Sequence, residues 1–186
     1  AKGTGARIPE LKQRYAGYRT AREAADNLRM LSAVNGKVKY LRADVSDETA
    51  VEAGIGQVAA EFARLDMVLH GAGIQTSKVL ARKKLEEYRA ILTTKLRGLG
   101  NLMHACRRHF ADRPVHIHPI TSSFSQIGNA GQQDYGAANI AMDRVAQHIA
   151  AGPGPWQASS LGWLGWFRIG MTRGSEYATL AILKRL

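Results

Sequence analysis

The chain has 186 residues, with 26 lysines and arginines against 15 aspartates and glutamates, a formal charge of +11 and 45% hydrophobic residues; that is one domain's worth of chain with enough apolar side chains for a packed core, which excludes a disordered or collagen-like polymer. Its single cysteine, Cys106, excludes an internal disulfide and a paired-cysteine zinc site and suits a reducing compartment, so a cytoplasmic location is expected. No apolar run approaches the roughly 18 residues that cross a bilayer and the first ten residues lack the apolar core of a secretion signal, so a soluble protein with no membrane partner is expected.

Leu11, Tyr15, Tyr18, Ala25, Leu28 and Leu31 recur at helical spacing, with Lys12, Arg14, Arg19, Arg22, Glu23 and Arg29 around the rest of the cylinder, which predicts an amphipathic helix. Asn35-Gly36 supplies a left-handed stop. Residues 37–43 (KVKYLRA) then have the β-branched and aromatic content of a short strand, ended by Asp44. Asp47 is placed to cap a helix through Val51, Ile55, Val58 and Phe62. Residues 67–70 (MVLH) predict a parallel strand covered on both faces, running into Gly71-Ala72-Gly73. A long helix is expected over 85–110 through Leu92, Leu96, Leu99 and Leu102, weakened in its middle by Gly98 and Gly100.

A strand over 114–120, a polar loop over 122–134, a helix over 135–150 through Ile140, Val145 and Ile149, and a last strand over 157–163 complete the order. Residues 166–186 read as a loop and short helix whose role pattern alone does not give. Strands and helices alternating at this spacing predict an α/β fold with a Rossmann-like, doubly wound and mostly parallel sheet. There is no internal repeat.

Ligands of open α/β sheets sit beyond the carboxyl ends of the strands. The loops after Ala43, His70, Ile120 and Trp163 therefore share one edge, and Asp44, Gly71, Gly73, Ser122, Ser123 and Trp166 fall in one cleft. Residues 121–139 (TSSFSQIGNAGQQDYGAAN) put a serine at a strand end, then a loop of about a dozen residues, then Tyr135 one helical turn before Asn139 on the same helix face. That is a constellation suited to proton transfer.

This stretch, with ADVSD at 43–47, HGAG at 70–73, TKLRG at 94–98, GNAGQ at 128–132 and residues 160–171, resembles the ketoreductase domains of polyketide synthases and multidomain fatty-acid synthases, within the short-chain dehydrogenase/reductase superfamily. The GNAGQ-x-DY form is most similar to the polyunsaturated fatty-acid synthase type. The resemblance implies a catalytic set of Ser122, Tyr135, Lys95 and Asn139, NADPH as cofactor, and reduction of a β-ketoacyl thioester. It also implies an acidic acyl carrier protein, with its phosphopantetheine-bound substrate, and the other domains of a multienzyme as partners. By the same resemblance Asp44 and Val45 would meet the adenine, Gly71, Ala72 and Gly73 the ribose and nicotinamide side, and Trp163 the nicotinamide amide. Leu164-Gly165 stands where the family has Gly-Pro, and Ile74-Gln75-Thr76 where one stereochemical class has Leu-Asp-Asp.

The chemistry has its own logic. A ketone that receives hydride develops negative charge on oxygen, which a phenol donor at Tyr135 and a second donor at Ser122 would stabilise. The Lys95 ammonium would favour the phenolate, and Asn139 would order a water or the lysine. The family's first strand and glycine-rich phosphate turn have no counterpart here: Gly3-Thr4-Gly5 follows no strand and lacks the GxGxxG spacing. Residues 1–186 thus read as one ketoreductase-like domain, a piece of a larger synthase.

Plainer readings stand beside these. Ser122 suits a turn or cap, Tyr135 a packing role, Lys95 a solvated surface, Asp44 a strand-ending turn and Trp163 core closure. His116 and His118 share one side of a strand without a third ligand, so a structural role and no metal site are expected. The basic charge raises nucleic-acid binding, yet no recognition helix or stacking platform accompanies it. The rivals to a reductase are therefore a noncatalytic, structural ketoreductase-like domain and a basic nucleic-acid-binding α/β domain.

Overall fold

A computed structural model describes residues 8–165 except 35, 63 and 112, and these divide into two compact units at residues 42 and 43. The first unit holds one helix, α1 (Ile8–Ala33). Within it Thr20 Oγ1 donates to the Ala16 carbonyl at 3.0 Å, and Arg29 pairs with Asp26 one turn away. Its apolar residues Leu11, Tyr15, Tyr18 and Leu31 are exposed. Residues 37–43 are not a strand, which corrects the strand expected there. β-branched content suits a strand, but a strand exists only where its N–H and C=O groups find an edge. The stop expected at Asn35, the Gly3-Thr4-Gly5 turn and the tail from Trp166 lie outside the described residues.

The second unit opens with α2 (Glu48–Phe62), capped as expected: Asp47 Oδ1 accepts the N–H groups of Thr49 at 2.9 Å and Ala50 at 3.2 Å. After β1 (Met67–His70), the long helix expected over 85–110 is broken into α3 (Leu85–Leu92), a π turn over Thr93–Arg97 and α4 (Gly98–Phe110). A π turn inserts a residue and re-aims the side chains around it. Gly98 begins α4 for a packing reason: a Cβ there would lie 2.9 Å from Val45 Cγ2 and 3.3 Å from His70 Cε1.

β2 (His116–Ser122), α5 (Phe124–Ile127) and α6 (Gln133–Ala151) follow. The last strand comes in two pieces, β3 (Gln157–Ala158) and β4 (Leu161–Trp163). Between them Ser159 Oγ lies 2.8 Å from His116 Nε2 and 2.9 Å from His118 Nδ1, so the histidine pair ties β2 to the end of β3.

Every strand pairing among the described residues is parallel. β1 runs beside β2 from Met67↔His116 to His70↔Pro119, while β2 pairs β3 at its start and β4 at its end, Ser122 opposite Trp163. His70, Ser122 and Trp163 consequently finish at one edge. The core joins Leu99, Cys106, Phe110, Val115, Ile117, Met142 and Trp156, so α4 and α6 cover the sheet face that carries Ile117. Met67 and Leu69 are 50% and 62% exposed, which corrects the expectation that β1 is covered on both faces by the described residues. No helix among the described residues is long and apolar enough to cross a membrane.

Candidate active site

The π turn and α6 bring two distant residues together at the carboxyl edge of β2. Lys95, 3% exposed, puts Nζ 5.2 Å from the centre of the Tyr135 ring, itself 7% exposed. The same Nζ donates to the Ile120 carbonyl at a long 3.5 Å. Ser122 is the last residue of β2, buried, with its Oγ accepting the Phe124 N–H at 3.3 Å. Asn139, one turn after Tyr135, is fully buried and its Nδ2 donates back to the Tyr135 carbonyl at 2.7 Å. Its Oδ1, like Thr121 Oγ1, is buried with no hydrogen-bond partner among the described residues.

Burial acts on the two ionisable members in opposite senses, because it disfavours whichever form is charged. It pulls the Lys95 ammonium down from 10.5 to about 8. It pushes the Tyr135 phenol above 10, against hydrogen bonding from the Asn139 and Ser122 side chains that favours the phenolate. At neutral pH the site therefore holds a protonated phenol beside a cationic amine, which is the state a proton donor needs.

Of the residues expected around a cofactor, Gly71, Ala72 and Gly73 follow β1 and Trp163 ends β4, whereas Asp44 and Val45 follow no described strand. Asp44 Oδ1 accepts the Ser46 N–H at 2.9 Å and the Ser46 hydroxyl at 2.8 Å, and these bonds hold its carboxyl below the usual 3.8. Val45 packs over Gly98, and its carbonyl accepts Asn101 Nδ2 at 2.9 Å. The missing Cβ atoms of Gly71 and Gly73 first serve the protein itself: at Gly71 a Cβ would sit 3.3 Å from Ile120 Cδ1, and at Gly73 3.2 Å from Lys95 Cε. Ala72 lies between them, half-buried. Trp163 is half-buried on β4, and its carbonyl accepts the Ser123 N–H at 3.1 Å. Among the described residues no cluster of three or more histidine, cysteine or acidic side chains could hold a metal ion.

Sequence reasoning missed a strap that fixes the start of α6. Gly131, at φ +75°, accepts the Lys78 N–H at 3.0 Å so closely that a Cβ would lie 3.2 Å from the Lys78 backbone. Gln132 Nε2 donates to Ser77 Oγ at 2.8 Å. Lys83 and Asp134 form an ion pair with side chains 2% and 0% exposed, and Asp134 Oδ1 also accepts the Tyr135 N–H at 2.9 Å. Lys83 stands in the run Arg82-Lys83-Lys84, which reads as solvated surface; only its contact 51 residues away makes it special.

The parallel sheet with helices on the face of Ile117 is the fold of solved short-chain dehydrogenases, one of which, from Burkholderia cenocepacia J2315 in complex with NADP, matches with a TM-score of 0.72 at 22% identity over 84% of this chain and 67% of that one. A solved gluconate 5-dehydrogenase from Burkholderia cenocepacia J2315, in complex with NADP and tartrate, shares this fold with a TM-score of 0.75 at 23% identity, over 89% of this chain and 67% of that one. The chain belongs to the KR domain family, which matches residues 11–167. It is 32% identical over 120 residues to the polyketide synthase PksN of Bacillus subtilis (strain 168), covering 64% of this chain and 2% of that protein. It is 30% identical over 135 residues to the 3-oxoacyl-[acyl-carrier-protein] reductase FabG of Salmonella typhimurium, covering 72% of this chain and 54% of FabG. The chain thus spans about half the length of FabG and a small part of the synthase.

Proposed function

We propose that the protein carrying this chain reduces a β-ketoacyl thioester, held on an acyl carrier protein, to the β-hydroxyacyl thioester with NADPH, in polyketide or fatty-acid synthesis. The observation that carries this reading is the burial of Lys95 Nζ 5.2 Å from the Tyr135 ring at the strand edge that ends in Ser122. Membership of the KR domain family and the likeness to FabG, a 3-oxoacyl-[acyl-carrier-protein] reductase, support the substrate class, and the NADP bound by the gluconate 5-dehydrogenase of the same fold supports the cofactor.

The residues present fit a nicotinamide nucleotide. Lys95 has three N–H bonds and one long acceptor, and the orphaned Asn139 Oδ1 and Thr121 Oγ1 stand near the same edge, which suits a ligand bearing ribose hydroxyls. Gly71, Ala72 and Gly73 would line its ribose and nicotinamide side, Asp44 and Val45 its adenine, and Trp163 its amide. When bound, NADPH supplies the hydride.

Tyr135 gives its phenolic proton to the carbonyl oxygen as that oxygen becomes an alkoxide. Ser122 Oγ–H holds the same oxygen in line. Lys95 stabilises the phenolate left behind, and the proton is recovered from solvent. Asn139 holds the Tyr135 backbone through its 2.7 Å bond. The thioester stays intact, and the product gains one hydride and one proton. The test is NADPH oxidation that depends on a β-ketoacyl thioester, with the product two hydrogens heavier by mass spectrometry. A protein that binds the carrier yet leaves NADPH unoxidised would instead be a structural ketoreductase-like domain.

A further inference from the structure

We propose that His70 is a positioning residue for Lys95: its imidazole N–H, given to the Lys95 carbonyl, holds the π turn in the register that sends the ammonium to Tyr135. The proposal rests on the reading of Lys95 and Tyr135 as the proton-donating pair.

His70 is the last residue of β1 and is 1% exposed, with Nε2 2.9 Å from the Lys95 carbonyl oxygen. A carbonyl only accepts, so the ring carries its proton on Nε2 and leaves Nδ1 bare. Burial holds the imidazole below its ordinary 6.5, which keeps this neutral tautomer at pH 7.

The carbonyl it holds is an unusual one. Along α3 and α4 each carbonyl meets the N–H four residues on, but the π turn displaces that ladder, and the Gly98 N–H is shared between the carbonyls of Lys95 and Thr93. The Lys95 carbonyl thus takes only a share of the Gly98 N–H, and His70 gives it a side-chain donor besides. The ring lies against Gly98, where a Cβ would come within 3.3 Å of its Cε1, so the glycine leaves it room.

Three residues further along, Gly73 gives the lysine side chain its room: a Cβ there would be 3.2 Å from Cε and 3.4 Å from Nζ. One segment, residues 70–73, therefore meets Lys95 at both ends, holding the backbone through His70 and leaving room for the ammonium at Gly73. The residue type matters as much as the place, because an apolar side chain of similar size fills the space but cannot donate.

The test compares His70→Leu, His70→Gln and, as a control, Lys95→Met in the complete protein, by β-ketoacyl thioester reduction. Misplacing a catalytic group by an ångström lowers turnover on the order of a hundredfold, so His70→Leu should lose about ten- to a hundredfold in kcat with little change in KM. His70→Gln carries an N–H the same number of bonds from Cβ and should recover to within a few-fold of the unaltered rate. Unaltered kcat in His70→Leu, or equal losses in Leu and Gln, would overturn the proposal. If Lys95→Met itself turns over normally, the underlying reading fails first and is recognised as the cause. Should the leucine variant not fold, 15N NMR of the imidazole decides: the Nε2–H tautomer is expected, and Nδ1–H with bare Nε2 would overturn the role.

Discussion

Lys95 and His70 are two bases whose protons burial makes easier to lose, and each has a measurable consequence. Lys95 stands at about 8, so at pH 7 its ammonium form predominates by about ten to one. Above pH 8 the neutral amine predominates, and in the proposed mechanism it would no longer stabilise the Tyr135 phenolate. The kcat of ketone reduction should therefore fall as pH rises through about 8, and a flat profile from neutral pH to well above 9 would contradict the role given to Lys95. For His70 the effect is on stability. Its folded pKa lies below 6.5, so the unfolded chain binds a proton that the folded one refuses, and folding stability is lost as pH falls through 6.5 toward the folded value. Urea denaturation at neutral and mildly acidic pH should show this loss in the unaltered protein and a smaller one in His70→Gln.

The strap between residues 77–83 and the start of α6 is the element that sets where Tyr135 stands. Its ion pair is buried on both sides, so Lys83→Met, which leaves the Asp134 carboxylate unpaired, should destabilise by about 3–5 kcal/mol. Replacing both partners, as Lys83→Met with Asp134→Asn, should recover much of that loss; equal losses in the single and double variants would deny the coupling. Gly131→Ala faces both a positive φ and the Lys78 backbone and should cost at least about 1–2 kcal/mol by the same denaturation measurement. None of this was legible in the sequence, because a lysine in a basic run looks like any solvated charge. The Asp47 cap was legible, since the groups it satisfies lie two and three residues away. The long helix over 85–110 was legible as helix but not as broken, because apolar spacing near 3.6 hardly changes when a single π turn interrupts it.

At the scale of the molecule, the parallel sheet followed from the alternation of short apolar strands and amphipathic helices, but the cover on β1 and the ladder expected for residues 37–43 depend on neighbours that no local pattern reports. The site was legible only as residue types at family positions; the approach of Lys95 to Tyr135, 40 residues apart, is a property of the folded chain. The charge of +11 adds an expectation for the partner. If the substrate arrives on an acidic carrier protein, its KM should rise with salt, as screened charge attraction does, while that of a small uncharged thioester should not. The measurement that bears most directly on the chemistry is Tyr135→Phe, assayed for β-ketoacyl thioester-dependent NADPH oxidation beside the unaltered protein. Loss of a general acid predicts a fall of about a hundredfold or more with an unchanged circular dichroism spectrum; turnover equal to that of the unaltered protein would contradict the account.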